Sequence, residues 1–98
     1  MTRRLELRPA AADDISAAHA WYEAEQAGLG AEFTAALDAV LGRIVALPEL
    51  YAADRRDVRQ APVNRFPYAV YYRILGDTVE VFAVVHTSRH PRAWRSRL

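Results

Sequence analysis

The stretch from Arg65 to Arg97 constrains the fold most, because it holds two β-rich runs separated only by Gly76-Asp77. Glycine tolerates a positive φ, so this dipeptide is typical of the turn that closes a tight hairpin. With Leu75 and Thr78 flanking a two-residue turn, the whole register follows, because side chains alternate between the faces of a strand. The first predicted face pairs Ile74 with Val79, Tyr72 with Val81, Val70 with Ala83 and Tyr68 with Val85. The second pairs Arg73 with Glu80, Tyr71 with Phe82, Ala69 with Val84 and Pro67 with His86.

The two faces of this hairpin predict different roles. The first is almost wholly apolar, so another part of the chain must cover it. The second is mixed, ends at His86 and runs into an arginine-rich tail. We therefore expect any function to lie on the second face and in the tail.

Composition bounds the class of protein. The chain has 98 residues and no cysteine, which predicts one domain over residues 1–98 and excludes disulfides and thiolate metal sites. No apolar run approaches the roughly 20 residues of a membrane helix, and the N-terminus lacks the apolar stretch of a signal peptide. We expect a cytoplasmic protein without a membrane partner.

Charge is distributed unevenly along the chain although the formal net charge is only +1. Residues 1–48 carry four arginines and seven acidic residues, and residues 49–98 carry nine arginines and five acidic residues. All basic residues other than histidine are arginine, which codon bias in a GC-rich genome explains. The last ten residues carry four arginines and no acid, a local field that attracts phosphate or an acidic partner.

The rest of the chain predicts two helices and two further strands. Leu5 and Leu7 alternate with charged residues, which indicates a short strand with one buried face. Apolar residues then recur at helical spacing in two segments separated by Gly28, and Asp13 and Asp14 fall in the predicted first turn. The predicted elements are a strand at Arg3–Arg8, a helix from Ala10 to Gly28, a helix from Leu29 to Leu47, a strand at Asp57–Pro62, the hairpin strands, and a tail from Arg92 to Leu98.

This order, β-α-α-β-β-β, predicts an α+β fold. The short link between the helices forces them into an antiparallel hairpin. That hairpin packs on one face of a small, mostly antiparallel four-stranded sheet.

Several short motifs in this order resemble the RelE/ParE superfamily of type II toxin–antitoxin systems. The resemblance covers nearly the whole chain, and no single piece is specific alone. Its pieces are Gly28-Leu29-Gly30 with Phe33, Leu47-Pro48-Glu49-Leu50-Tyr51, Val58-Arg59, Arg65-Phe66-Pro67-Tyr68 before Val70-Tyr71-Tyr72, and His86-Thr87-Ser88-Arg89-His90-Pro91 with Trp94. The Phe-Pro-Tyr strand entry and the His-x-x-Arg-x-Pro ending look closer to the ParE-like side.

The resemblance implies a growth-inhibiting toxin that a neighbouring gene's antitoxin neutralises in a hetero-oligomer. ParE-like members poison DNA gyrase, which is the function we favour, by binding rather than by bond-breaking chemistry. RelE-like members instead cleave messenger RNA on the ribosome, and a non-toxic member acting as a binding module or corepressor partner is a third possibility. We expect no cofactor and no metal, because His86 and His90 have no third ligand.

Nuclease chemistry of the RelE type needs cations for the developing phosphate charge and groups that move protons. Arg59, His86 and Arg89 are the candidate catalytic residues for that alternative. Where the nucleases place an arginine on the first strand of the hairpin, the resemblance puts Ala69. An alanine cannot stabilise a pentavalent phosphate, so this departure favours the ParE-like alternative.

Two sets of residues are the candidate binding surfaces. Trp21 and Tyr22 are adjacent aromatics that one core stripe cannot bury fully, so an amphipathic antitoxin segment is expected to dock near them. Trp94 is expected to anchor the tail, so that its arginines point in a defined direction. The antitoxin-binding candidates are Trp21, Tyr22 and Phe33. The target-binding candidates are Arg65, Tyr71, Arg89, Arg92, Trp94, Arg95 and Arg97.

Overall fold

The computed structural model describes residues 3–98 and has the predicted α+β architecture. Two long helices pack on one face of a four-stranded sheet, and a short third helix follows the last strand. The elements are β1 (Arg4–Leu7), α1 (Pro9–Glu25), α2 (Leu29–Ala46), β2 (Arg59–Pro62), β3 (Tyr68–Leu75), β4 (Thr78–His86) and α3 (Arg92–Arg95). No helix within residues 3–98 has both the length and the apolar character needed to cross a membrane.

The sheet has the order β1-β4-β3-β2, so the first and last strands of the chain are neighbours. β1 pairs with β4 in parallel, and the other pairs are antiparallel. The predicted buried face of β1 is wrong, since Leu5 and Leu7 are each 39% exposed. The reason is position, because β1 is a four-residue edge strand and α1 packs against β4.

The hairpin register agrees with the prediction only near the turn. Gly76 has a φ of 62°, and the predicted pairs hold from Leu75–Thr78 to Tyr72–Val81. There β4 contains a bulge, so Tyr71 lies opposite Ala83 and Phe82 is the extra residue. The predicted pairs beyond the bulge are therefore wrong by one residue. The observed pairs are Tyr71–Ala83, Val70–Val84, Ala69–Val85 and Tyr68–His86.

Both faces of the sheet are covered, which corrects the expectation of a free second face. The larger core lies between the sheet and the two long helices and includes Phe33, Ile44, Tyr72 and Val81. A second cluster forms on the opposite face. It consists of Val58, Ala69, Tyr71, Phe82, Ala83, Val85 and Trp94. The bulge puts Ala83 and Val85 in this second cluster, whereas the uninterrupted register put them under the helices.

The helix ends differ from the prediction by a few residues. α1 begins at Pro9, in the first helical position that suits proline, so Asp13 and Asp14 fall beyond its first turn. The predicted dipole role for these two aspartates is therefore wrong. α1 ends at Glu25, and Gly28 instead precedes α2 with a φ of 90°. β2 likewise begins two residues later than predicted, at Arg59.

Candidate functional site: an aromatic cleft and an anchored basic tail

An open cleft lies between the C-terminal half of α1 and the end of the hairpin. Its volume is about 500 Å³, and its lining residues are Trp21, Tyr22, Pro67, Tyr68 and His86. Trp21 is 58% exposed, and its ring meets the Tyr22 ring edge-on with centroids 5.0 Å apart. The structure thus places an exposed aromatic side chain of α1 beside the strand end that carries His86.

A cluster of stacked aromatic rings supports this cleft from below. Tyr22 stacks on Phe33 at 5.4 Å and meets Phe66 edge-on at 4.9 Å. Phe33 also contacts Tyr68 at 5.2 Å. Phe33 is fully buried, so the expectation that it lies on a docking surface is wrong. Its role in the structure is to hold Tyr22 and Tyr68 in place, because rigid rings packed edge-on fix one another's position.

The two tyrosines of the cleft remain neutral at physiological pH. Burial raises the pKa of Tyr22 above its ordinary value, and the nearby Tyr68 raises it further. Burial also raises the pKa of Tyr68, although the positive charge of Arg89 partly offsets this effect. Neutral phenols are both donors and acceptors of hydrogen bonds, so the cleft has polar groups alongside its apolar rings.

The His86 side chain is oriented by the turn that follows β4. The backbone N–H of Ser88 donates to His86 Nδ1 over 3.1 Å, and Ser88 Oγ lies 2.7 Å from the same nitrogen. Because Nδ1 accepts a backbone hydrogen bond, the neutral imidazole carries its proton on Nε2. The ring also meets Tyr68 edge-on at 5.4 Å, so His86 offers a positioned N–H donor.

Arg59, the remaining candidate for a nuclease, lies in another part of the sheet. Its Nη1 donates to the backbone carbonyls of Glu49 and Tyr51. Arg59 pairs with Tyr72, whereas His86 pairs with Tyr68 on the other side of β3. Four residues along a strand correspond to roughly 13 Å. The structure therefore does not bring Arg59 together with His86 and Arg89.

The C-terminal tail is anchored by Trp94, as predicted. Trp94 is only 8% exposed and stacks on Tyr71 with ring centroids 4.8 Å apart. Arg92 and Arg95, in the same short helix, are exposed. Tyr71 and Trp94 are thus packed against each other, and the arginines of α3 are the part of the tail that a target can reach.

Arg97 is only partly exposed and its guanidinium is held by the protein, which corrects the expectation that this tail residue is displayed to a target. Its guanidinium forms two hydrogen bonds with the carboxylate of Asp14, the one from Nη2 being 3.0 Å long. Its Nη1 also donates to the carbonyl of Phe82 over 3.1 Å. The contact with Asp14 raises the pKa of Arg97. Arg97 therefore ties the end of the chain to α1 and β4.

Arg65 lies apart from the tail, close to α2. It is exposed, has a φ of 74°, and pairs with Glu32 at 3.0 Å. Arg65, unlike the arginines of α3, is thus on the side of the two long helices. No group of three or more His, Cys, Asp or Glu side chains among residues 3–98 is arranged to hold a metal ion.

Comparison with protein families identifies the chain. The family model described as "ParE toxin of type II toxin-antitoxin system, parDE" matches residues 5–91. The chain belongs to the ParE toxin family. The match includes the whole aromatic cleft, and α3 lies beyond it. The predicted resemblance to the RelE/ParE superfamily, with the ParE-like side favoured, is confirmed.

Individual ParE proteins support the same assignment. The chain is 30% identical over 94 residues to Toxin ParE2 of Mycobacterium tuberculosis, in both strain CDC 1551 and strain H37Rv. These alignments cover 95% of this chain and 90% of the relative. Among solved structures, the chromosomal ParDE toxin–antitoxin system from P. aeruginosa matches with a TM-score of 0.65. At 15% identity, over 87% of this chain and 96% of that chain, this match shows that the two chains share a fold.

Sequence reasoning missed one residue that organises this ParE fold. Asp14 accepts hydrogen bonds from both Arg97 and the backbone N–H of Val84. The only feature of the sequence that draws attention to Asp14 is the acidic pair Asp13-Asp14 near the start of a helix. Nothing in a local pattern links Asp14 to partners 70 and 83 residues away.

Proposed function

We propose that this ParE-family toxin inhibits growth by poisoning DNA gyrase and that a cognate antitoxin neutralises it. The observation that carries the proposal is the separation of the candidate nuclease side chains. Arg59 is held by loop carbonyls at one side of β3, and His86 lies on the other side, nearer the opposite end. Acid–base catalysis needs such groups within hydrogen-bond reach of one reacting centre.

Ala69 supports the same proposal. It is fully buried in the second cluster and lies opposite Val85. An arginine at this position would supply a cation for a phosphate transition state, whereas alanine supplies none. Action by binding to a target is therefore favoured over cleavage of RNA by this chain.

The experiment is to induce the intact chain without antitoxin and to assay gyrase directly. We expect growth to stop after induction. In the purified system, we expect cleaved DNA bound to gyrase to accumulate when the toxin is added. Normal supercoiling with toxin in excess would contradict the proposal. Mapping message ends after induction tests the nuclease alternative, with His86→Ala and Arg89→Ala as controls. Codon-phased cuts that both variants abolish would favour a nuclease.

We propose the aromatic cleft as the antitoxin docking surface. Trp21 is more than half exposed although it is one of the largest apolar side chains, and the rings beneath it hold the surrounding cleft rigid. An amphipathic helix of the antitoxin fits such a surface. One of its apolar side chains fills the cleft, and the polar groups around that side chain form hydrogen bonds with Tyr68 and His86.

A charge placed at this surface tests the docking proposal. We expect Trp21→Glu to weaken the toxin–antitoxin complex by about 2 kcal/mol or more, the cost typical of an interface hot spot. Isothermal titration calorimetry measures the affinity. Leu75→Glu is the matched control, since Leu75 is 49% exposed but lies at the far end of β3. Equal affinity for both variants would place the antitoxin elsewhere.

A further inference from the structure

Three arginines from two distant parts of the chain converge on one shallow cleft. Its volume is about 360 Å³, and its lining residues are Asp54, Arg55, Arg56 and Arg95. Arg55 and Arg56 belong to the loop before β2, and Arg95 belongs to α3. The fold creates this cluster, because the packing of Trp94 on Val58 and Tyr71 brings α3 over the loop.

The loop that carries Arg55 and Arg56 is ordered by its own hydrogen bonds. Asp54 Oδ1 accepts the backbone N–H groups of Arg56 and Val58, at 2.8 and 2.9 Å. The backbone of Asp54 also donates to the carbonyl of Val58 over 2.9 Å, which closes the loop into a tight turn. The two arginines are therefore presented from a defined backbone.

Arg95 is also positioned in advance. Its guanidinium lies over the Trp94 ring, 5.3 Å from the centroid, and Trp94 is itself held in the second cluster. Such a cation–π contact limits the orientations of the guanidinium and leaves its N–H groups free to donate. Arg92 precedes Arg95 by three residues on the same helix and adds a further exposed cation nearby.

The local charge is positive and available to a ligand. The side-chain ion pairs found within residues 3–98 use other arginines, namely Arg3, Arg8, Arg65, Arg73 and Arg97. Two carboxylates belong to the same turn. Asp54 is engaged by backbone N–H groups, and Asp57 is exposed with a φ of 61°. Arg55, Arg56 and Arg95 at the cleft, together with Arg92 on the same helix as Arg95, thus outnumber these two carboxylates, and the local net charge is positive.

The geometry points to a site for the phosphodiester backbone of duplex DNA in this cleft, with Arg55, Arg56 and Arg95 as its phosphate-binding residues. Guanidinium forks match phosphate oxygens in geometry and charge. The lining contains no apolar side chain, so it lacks the anchor that a protein partner uses. The nearby Trp94 ring is buried against Tyr71, so it offers no free face on which an unpaired base can stack.

This inference rests on the proposed function for its biological meaning, because gyrase acts on duplex DNA. The arginine cleft would let the toxin contact the DNA that its target holds. The binding site itself is testable without gyrase, so the two proposals can fail separately.

The test is fluorescence anisotropy of a labelled duplex with the purified full-length chain, between about 50 and 200 mM salt. Each neutralised phosphate contributes about −0.9 to the slope of log K against log salt concentration. For Arg55→Gln/Arg56→Gln we therefore expect a slope shallower by about 1.8, and for Arg95→Gln one shallower by about 0.9. Arg55→Lys/Arg56→Lys keeps the charge, so its slope should be that of the natural protein.

The matched control is Arg4→Gln/Arg43→Gln, which removes the same charge from exposed positions on β1 and α2. Its slope should be unchanged. If the slope of the control became as shallow as that of Arg55→Gln/Arg56→Gln, the site would be refuted. The absence of duplex binding by the natural chain at about 50 mM salt would refute it as well. Tighter binding of a single strand, or of a polyglutamate peptide, would also refute it in favour of another ligand class. A chain that traps gyrase-cleaved DNA but binds no duplex through these arginines refutes the site and leaves the proposed function standing.

Discussion

The contact between Asp14 and Arg97 carries a quantitative prediction for Asp14→Ala. The change removes two hydrogen bonds from Arg97 and leaves the part-buried N–H of Val84 without its acceptor. An unsatisfied buried donor costs about 1–3 kcal/mol. The ion pair adds less than the 3–5 kcal/mol of a fully buried pair, because the side chains of Asp14 and Arg97 are 16% and 27% exposed.

Together these effects destabilise the fold by about 2–4 kcal/mol. That is a large part of the 5–15 kcal/mol typical of a small domain. At about 4–8 °C per kcal/mol for a chain of this size, the midpoint of thermal unfolding should fall by roughly 8–32 °C. Asp14→Asn keeps an acceptor for Val84 but loses the charge, so we expect an intermediate loss.

Urea unfolding followed by tryptophan fluorescence measures the free energy. The chain has two tryptophans, so a Trp21→Phe background leaves Trp94, the residue of α3 that anchors the tail, as the single probe. Asp13→Ala is the matched control, because Asp13 has the same charge on the exposed side of α1. It should change stability by no more than about 0.5 kcal/mol. A loss for Asp14→Ala no greater than for Asp13→Ala would refute the reasoning.

Two further predictions concern the glycines of α2 and the carboxylate of Glu23, which binds the turn before this helix. In Gly30→Ala the new Cβ would lie 2.8 Å from the carbonyl oxygen of His19, so we expect a loss of about 1–3 kcal/mol; Gly42→Ala, which meets nothing within 4 Å, should instead gain about 0.5–1 kcal/mol. Urea unfolding of both variants checks the opposite signs. The pKa of Glu23 lies below its ordinary value of 4.5. The largest cause is the hydrogen bond that its carboxylate accepts from the backbone N–H of Gly28, and the bond from Gly30 is the second cause. The stabilisation from Glu23 is therefore present above pH 4.5 and lost as the pH falls through the lowered pKa. The expected result is a loss of amide protection at Gly28 and Gly30, measured against intrinsic exchange at the same pH and greater than that of the rest of α2, and Glu23→Gln should remove the pH dependence.

The parts of the fold that local chemistry decides were predictable from the sequence. The glycine turn and the alternation beside it predict the register correctly up to Tyr72–Val81. The bulge that follows was not predictable, because Phe82 and Ala83 are both apolar and either register buries them. Leu5 and Leu7 look like core residues in a local pattern, and only the strand order places them at an edge.

The candidate site shows the same division between local and long-range information. Trp21 was singled out because a single core stripe cannot bury two adjacent aromatics, and it is exposed in the structure. Trp94 was correctly expected to anchor the tail. Arg97 was misplaced, because its partner is 83 residues away. The role of Arg55 and Arg56 likewise depends on where α3 packs, which no local pattern records.

The parallel pairing of β1 with β4 affects how the toxin is made in the cell. Residues 4–7 leave the ribosome early but pair with residues 78–81, so the nascent chain cannot complete its sheet until nearly all of it has been synthesised. Contacts between the two ends of a chain carry a high entropic cost of closure and slow folding. The complete sheet, and with it the cleft beside His86 at the end of β4, therefore forms only after β4 has been synthesised.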